Sequence, residues 1–154
     1  MGNQKPELVG YFLDLSVVLT GFSRFHLQGT GQTSLYFDTV SSVVGEGLFE
    51  ELLTTFHNLE NQSQGLRLNI LGSEKLGPIA RNIIKLWYLS TWYQLPQEWR
   101  DVYGTIPNDK TFIPASAAYP EGLLWPAVGV NPKGAKGQGY GTWSEPPLVT
   151  LDQK

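Results

Sequence analysis

The chain of 154 residues contains no cysteine, and that absence excludes disulfides, thiolate metal sites and cysteine nucleophiles together. Charge is scarce as well: Asp, Glu, Lys and Arg make up 16% of residues and the net charge is -3, with no basic block. The largest cationic feature, Lys133 and Lys136 among glycines, falls far short of the electrostatic footprint that nucleic acid requires. No apolar run approaches the length of a membrane-spanning helix, so no direct membrane span is expected. The opening Met1-Gly2-Asn3-Gln4-Lys5-Pro6 carries neither a twin-arginine pair nor a signal-like apolar stretch, and Pro6 stands where N-myristoylation wants Ser or Thr.

What remains is ample apolar material, 41% of residues, enough for one domain that buries roughly two-thirds of the surface of its unfolded chain. The periodicity predicts a mainly α fold with about four core helices. Leu8, Phe12, Leu15 and Leu19 form one stripe after Pro6, and Gly21 stops it. A loop from Phe22 to Thr30 leads to a second helix over Thr33 to Val44, with Tyr36, Val40 and Val44 on a face and Gly45 closing it. Phe49, Leu52, Leu53, Phe56 and Leu59 mark a third, Glu46 to Leu59, ended by the polar loop Asn61 to Gly65. A fourth begins either at a Ser73 cap or at Pro78 and lines up Ile79, Ile83, Trp87, Tyr88 and Trp92. Trp87 and Tyr88 read as core rather than as a ligand platform. Pro96 opens a short amphipathic turn with Trp99 and Tyr103, and Gly104 ends it.

Regular structure then thins, because eight of the ten prolines lie beyond residue 94. The only further helical hint is Ser116 to Leu124, interrupted by Pro120 and Gly122. The expected organisation is a single domain, 1–154, with a helical core over about 6–104 and an irregular Pro/Gly/aromatic-rich segment over about 105–154. From Tyr119 to Pro147 there are five prolines, six glycines and four large aromatics, a composition too broken for a long helix and too aromatic for a linker. Tyr119, Trp125, Tyr140 and Trp143 are residue types that anchor interfaces, and Pro146-Pro147 favours a pre-extended backbone. These six residues are the candidate partner-binding set, with packing into the chain's own core the open alternative for Trp125 and Trp143.

Catalytic constellations are weakly represented. The two histidines, His26 and His57, lack metal-ligand spacing, and Glu50-Glu51 point about 100° apart on a helix. No G-x-S-x-G elbow occurs, and the glycine run Gly134 to Gly141 lacks the G-K-[ST] ending of a phosphate loop. Asn61-Gln62-Ser63 is a glycosylation sequon, which predicts only an exposed loop. No catalytic, cofactor-binding or metal-binding residue is assigned. Two alternatives stay open: a stand-alone carbohydrate-binding module using exposed aromatics, and a small enzyme pairing His26 or His57 with Glu50 or Asp38.

Four segments in order resemble the small (gamma) subunit of bacterial membrane-bound FAD-dependent sugar and polyol dehydrogenases. They are Leu15-Ser16-Val17-Val18-Leu19-Thr20-Gly21, like L-S-x-x-L-T-G; Leu86-Trp87-Tyr88-Leu89, like W-Y-L-G with Ser90 at the glycine; Tyr119-Pro120-Glu121-Gly122-Leu123-Leu124-Trp125, like Y-x-E-A-L-x-[FW] with Gly122 at the alanine; and Gly141-Thr142-Trp143-Ser144-Glu145-Pro146-Pro147, like G-x-W-x-x-x-P. No match is claimed from Trp92 to Ala117. The resemblance implies a non-catalytic, chaperone-like subunit that stabilises a large FAD-containing catalytic subunit, with a cytochrome subunit in the same complex. It further implies a periplasmic location, membrane-associated through that complex; no export signal stands in this sequence, and both a cytoplasmic location and a removed export segment stay open. Typical relatives carry a cysteine before the closing tryptophan motif; Gln138, Gly139 and Tyr140 stand there instead, so any linkage to the partner would be non-covalent.

Overall fold

A computed structural model describes residues 5–129 and shows a mainly helical chain, with eight α-helices and no strand among the described residues. Helix α1, Lys5–Thr20, buries Phe12 and Leu15 completely and ends where Gly21 takes a positive φ of 80°. The Phe22 to Thr30 stretch, expected as a loop, instead contains α2, Arg24–Gly29. Ser23 Oγ accepts the His26 amide at 3.0 Å and Leu27 is the buried anchor, so one cap and one apolar residue hold a helix too short to show periodicity. Helices α3, Thr33–Val44, and α4, Glu46–His57, are joined through Gly45 alone, whose φ of 93° lets the chain reverse there. Both end within two residues of the positions their sequence patterns indicate.

The polar run after α4 is also not a plain loop. Asn61 Oδ1 accepts the Gln64 amide at 3.0 Å and starts α5, Gln62–Gly65, which continues into a π-helical segment, Leu66–Leu71. Gly65 lies under the Leu59 side chain, and Leu66 and Ile70 turn into the core. Ser73 Oγ then accepts the amides of Lys75 and Leu76 at 3.2 and 3.0 Å, capping a turn that delivers the chain to α6, Gly77–Leu89, with Pro78 in its first turn. Both start signals are therefore used, in succession.

Helix α6 is the spine of the core. Its Ile79, Ile83, Leu86 and Trp87 are buried, and it packs against α1, α3 and the π-helical segment. Phe12 sits at the centre with its ring centroid 5.8 Å from Phe37, 5.7 Å from Phe49 and 6.1 Å from Trp87, tying α1, α3, α4 and α6 into one aromatic cluster. Beyond α6 the chain forms α7, Gln97–Tyr103, where Trp99 donates to the Lys75 carbonyl at 2.9 Å and its ring lies tilted against Tyr103 with centroids 5.1 Å apart. The flanks of α7 are clasped together by paired backbone bonds between Trp92 and Phe112, each 2.9 Å. Inside the clasp Asp109, only 2% exposed, accepts Trp92 Nε1 at 2.9 Å and the Leu95 amide at 3.0 Å. A 3-10 turn, Ser116–Glu121, and α8, Leu124–Val128, complete the described chain.

Replacing Asp109 with alanine leaves an indole and a backbone amide buried without an acceptor, so Asp109→Ala is expected to lower unfolding free energy by about 2–4 kcal/mol in denaturant titrations. Asp109→Asn keeps one acceptor oxygen and is expected to cost less than half as much.

Candidate docking site

The last turn of α6 collects polar groups from three distant parts of the chain. Trp87 Nε1 donates to Ser16 Oγ at 2.9 Å, and Tyr88 Oη donates to the Thr20 carbonyl at 2.9 Å, fastening α6 to the end of α1. Thr20 Oγ1 in turn donates to the Ser16 carbonyl at 2.7 Å and accepts the Phe22 amide at 3.1 Å. Ser90 follows with φ 56° and ψ 31°, a left-handed conformation, although it is fully buried and not a glycine. Its hydroxyl accepts Tyr36 Oη at 3.1 Å and donates to the Ala118 carbonyl at 2.8 Å. The Leu123 amide donates to the Trp87 carbonyl at 2.9 Å. Three of the four segments that carry the resemblance, around Ser16, Trp87 and Gly122, thus meet at one place.

That junction presents Tyr119 and Trp125. Ala118 and Leu123 are buried anchors on either side of the 3-10 turn, so the backbone between them is held against α6. Trp125 is half-buried; it donates Nε1 to the Tyr119 carbonyl at 3.1 Å, and the two rings meet edge to face with centroids 5.5 Å apart. Tyr119 is 45% exposed, and Leu124 and Val128, four apart on α8, are exposed at 37% and 58%. Tyr119 and Trp125 stand out in the sequence by residue type, whereas these two aliphatics do not, because their i, i+4 spacing in a five-residue helix between Leu123 and Gly129 is too brief to register as a face. Tyr140, Trp143, Pro146 and Pro147, the other candidate partner-binding residues, lie outside the described residues.

Two of the departures from the resemblance, Ser90 and Gly122, are neighbours in space. A Cβ on Gly122 would lie 2.6 Å from the Tyr88 carbonyl oxygen and 3.5 Å from Ser90 Oγ, so this chain has no room for alanine there without a backbone shift. Ser90, conversely, occupies a left-handed position that suits glycine.

The histidines are placed differently. His57, exposed at the end of α4, stacks on Tyr11 with centroids 3.9 Å apart and planes inclined by 15°, while His26 packs against Phe22 at 4.8 Å. Asp38 pairs with Lys5 at 3.1 Å, and Glu50 is exposed. No ion pair among the described residues uses a histidine, and no group of three or more His, Asp and Glu side chains there could hold a metal ion. No described helix is long and apolar enough to cross a membrane. No family model, curated protein or solved structure matches this chain.

Burial pushes the Tyr36 phenol above its ordinary value, opposed by the hydrogen bond with Ser90 and reinforced by the nearby Glu121 carboxylate. Because the folded state resists ionisation more than the unfolded chain does, the unfolded state sheds its proton first as pH rises. Tyr36 therefore contributes stability that is intact below the unfolded value of 10.0 and is lost as pH climbs from there through the higher folded value. Stability titrated from pH 9 to pH 12 is expected to fall less steeply in Tyr36→Phe than in wild type, although the variant starts lower by about 1 kcal/mol.

Proposed function

We propose that this chain is a non-catalytic small subunit that binds and stabilises, in a chaperone-like way, the FAD-containing catalytic subunit of a sugar or polyol dehydrogenase complex. The observation that carries the reading is the junction at the end of α6. The segments of the resemblance that the structure describes fold onto one another there, and the polar groups they bring are consumed in holding the chain together. What they leave outward is an aromatic pair with Leu124 and Val128 beside it, which is apolar surface of the kind a protein partner covers.

In this reading Tyr119 and Trp125 form the first part of the contact, and Tyr140, Trp143, Pro146 and Pro147 supply the rest. The chain itself needs no cofactor; FAD belongs to the large partner, which oxidises the sugar, and a cytochrome subunit in the same complex takes the electrons. The assembly works at the periplasmic side of the membrane, held there through its partners. With no cysteine in the chain, its grip rests on buried aromatics and backbone hydrogen bonds.

Co-expression with a candidate flavoprotein tests the proposal. Wild type is expected to co-purify as a yellow complex, whereas the flavoprotein expressed alone is insoluble or unstable. Trp125→Ala is expected to weaken capture by about 2 kcal/mol, roughly thirtyfold, as for an interface anchor. A flavoprotein that is equally soluble and active without this chain, and does not retain it, overturns the reading.

The edge-to-face pair of exposed Tyr119 and half-buried Trp125 also favours a second reading, a carbohydrate-binding module, because aromatic faces stack on sugar rings. That reading predicts heat of binding from the isolated chain across a panel of free mono- and oligosaccharides; the subunit reading predicts none.

A further inference from the structure

We infer that Tyr36 and Ser90, both buried in the helical core, are positioning residues that set the orientation of the exposed 119–128 face. Tyr36 lies in the first half of α3 with 1% exposure, and its ring meets Trp87 edge to face at 5.0 Å, so the phenol has a fixed aim. It donates to Ser90 Oγ, and the same oxygen donates to Ala118 C=O, so two hydroxyls form a directional relay from α3, past the end of α6, to the 3-10 turn. The relay spans 54 residues of sequence in its first bond and 28 in its second.

A simple helix-stop role does not explain Ser90. Glycine ends a helix in the left-handed conformation without the Cβ penalty, whereas serine bears that penalty and, here, full burial of a hydroxyl. Both costs are offset only because the hydroxyl is used twice, and the second use is a backbone carbonyl of the presenting segment. Leu123 N to Trp87 O is a second tie, and Gly122 rests against the Tyr88 carbonyl. With the relay cut, the segment stays anchored at Leu123 but loses its fixed point at Ala118, one residue before Tyr119. The expected result is a face that rocks about Leu123 rather than one that detaches.

The orientation claim concerns the free chain; its consequence for binding rests on the proposed subunit role. Hydrogen exchange on the full-length chain, read by mass spectrometry, separates them. In Ser90→Gly, which keeps the left-handed backbone and removes the hydroxyl, amides over 115–129 are expected to exchange about tenfold faster, with a smaller acceleration in Tyr36→Phe. Amides of α1 and α4 are expected to accelerate only by the factor that each variant's measured loss of global stability sets, and less than those over 115–129. Acceleration spread evenly over all helices would mark a merely structural role and overturn the assignment, as would unchanged exchange over 115–129. Capture of the co-expressed flavoprotein by the same variants is expected to fall in the order of their exchange rates. Wild-type capture matched by both variants overturns positioning of a docking face. A wild-type chain that captures no flavoprotein overturns the subunit role, while the exchange result still decides the relay.

Discussion

Trp87 buries an indole whose N–H must find an acceptor, and Ser16, one hydroxyl on the inner face of α1, provides it. Much of the structure follows from that bond. It fixes the rotation of α6 against α1, which places Tyr88 under the Thr20 carbonyl and brings Ser90 beneath Tyr36. Trp87, Ser16, Tyr36 and Ser90 are buried and each would cost about 1–3 kcal/mol if left unpaired, while Tyr88 is partly buried, so the four residues from Trp87 to Ser90 admit few alternative packings. Apolar burial around Phe12 supplies the gross driving force; the polar junction selects the arrangement.

The same junction explains why a segment rich in proline and glycine can be ordered at all. Between Ala115 and Gly129 the regular backbone bonding is confined to a 3-10 turn and one short helix, and Ala118 and Leu123 are buried with their backbone groups tied to Ser90 and Trp87. A short segment secured at two points can carry exposed aromatics in a defined geometry, which lowers the ordering cost of binding. A preformed face on a helical scaffold is the physical content of the proposed subunit role. It does not depend on any reactive group, and the histidines are engaged with Tyr11 and Phe22 rather than with carboxylates.

Much of this is legible in the sequence alone. Helices α1, α3, α4, α6 and α7 announce themselves because apolar residues recur at helical spacing and Gly21, Gly45 and Gly104 stop them. Helices α2 and α5 did not, since Leu27 alone anchors one and the other is a polar tetrapeptide held by an Asn61 cap. The clasp around Asp109 was invisible for a different reason: its partners lie 14 and 17 residues away in a stretch with no alternation. At the candidate site, residue type alone pointed to Tyr119 and Trp125. The Ser90 relay left only one trace, a serine where the resembling segments have glycine, because hydroxyl pairing across 54 residues has no local signature.

In the proposed complex the face running from Tyr119 to Val128 meets a large flavoprotein. Hydrogen exchange compared between the free chain and the co-purified complex measures this directly. Protection concentrated over 119–128, with the outer surface of α4 unchanged, is the predicted footprint. Protection centred on α4 or on the π-helical segment, with 119–128 unaltered, would contradict it.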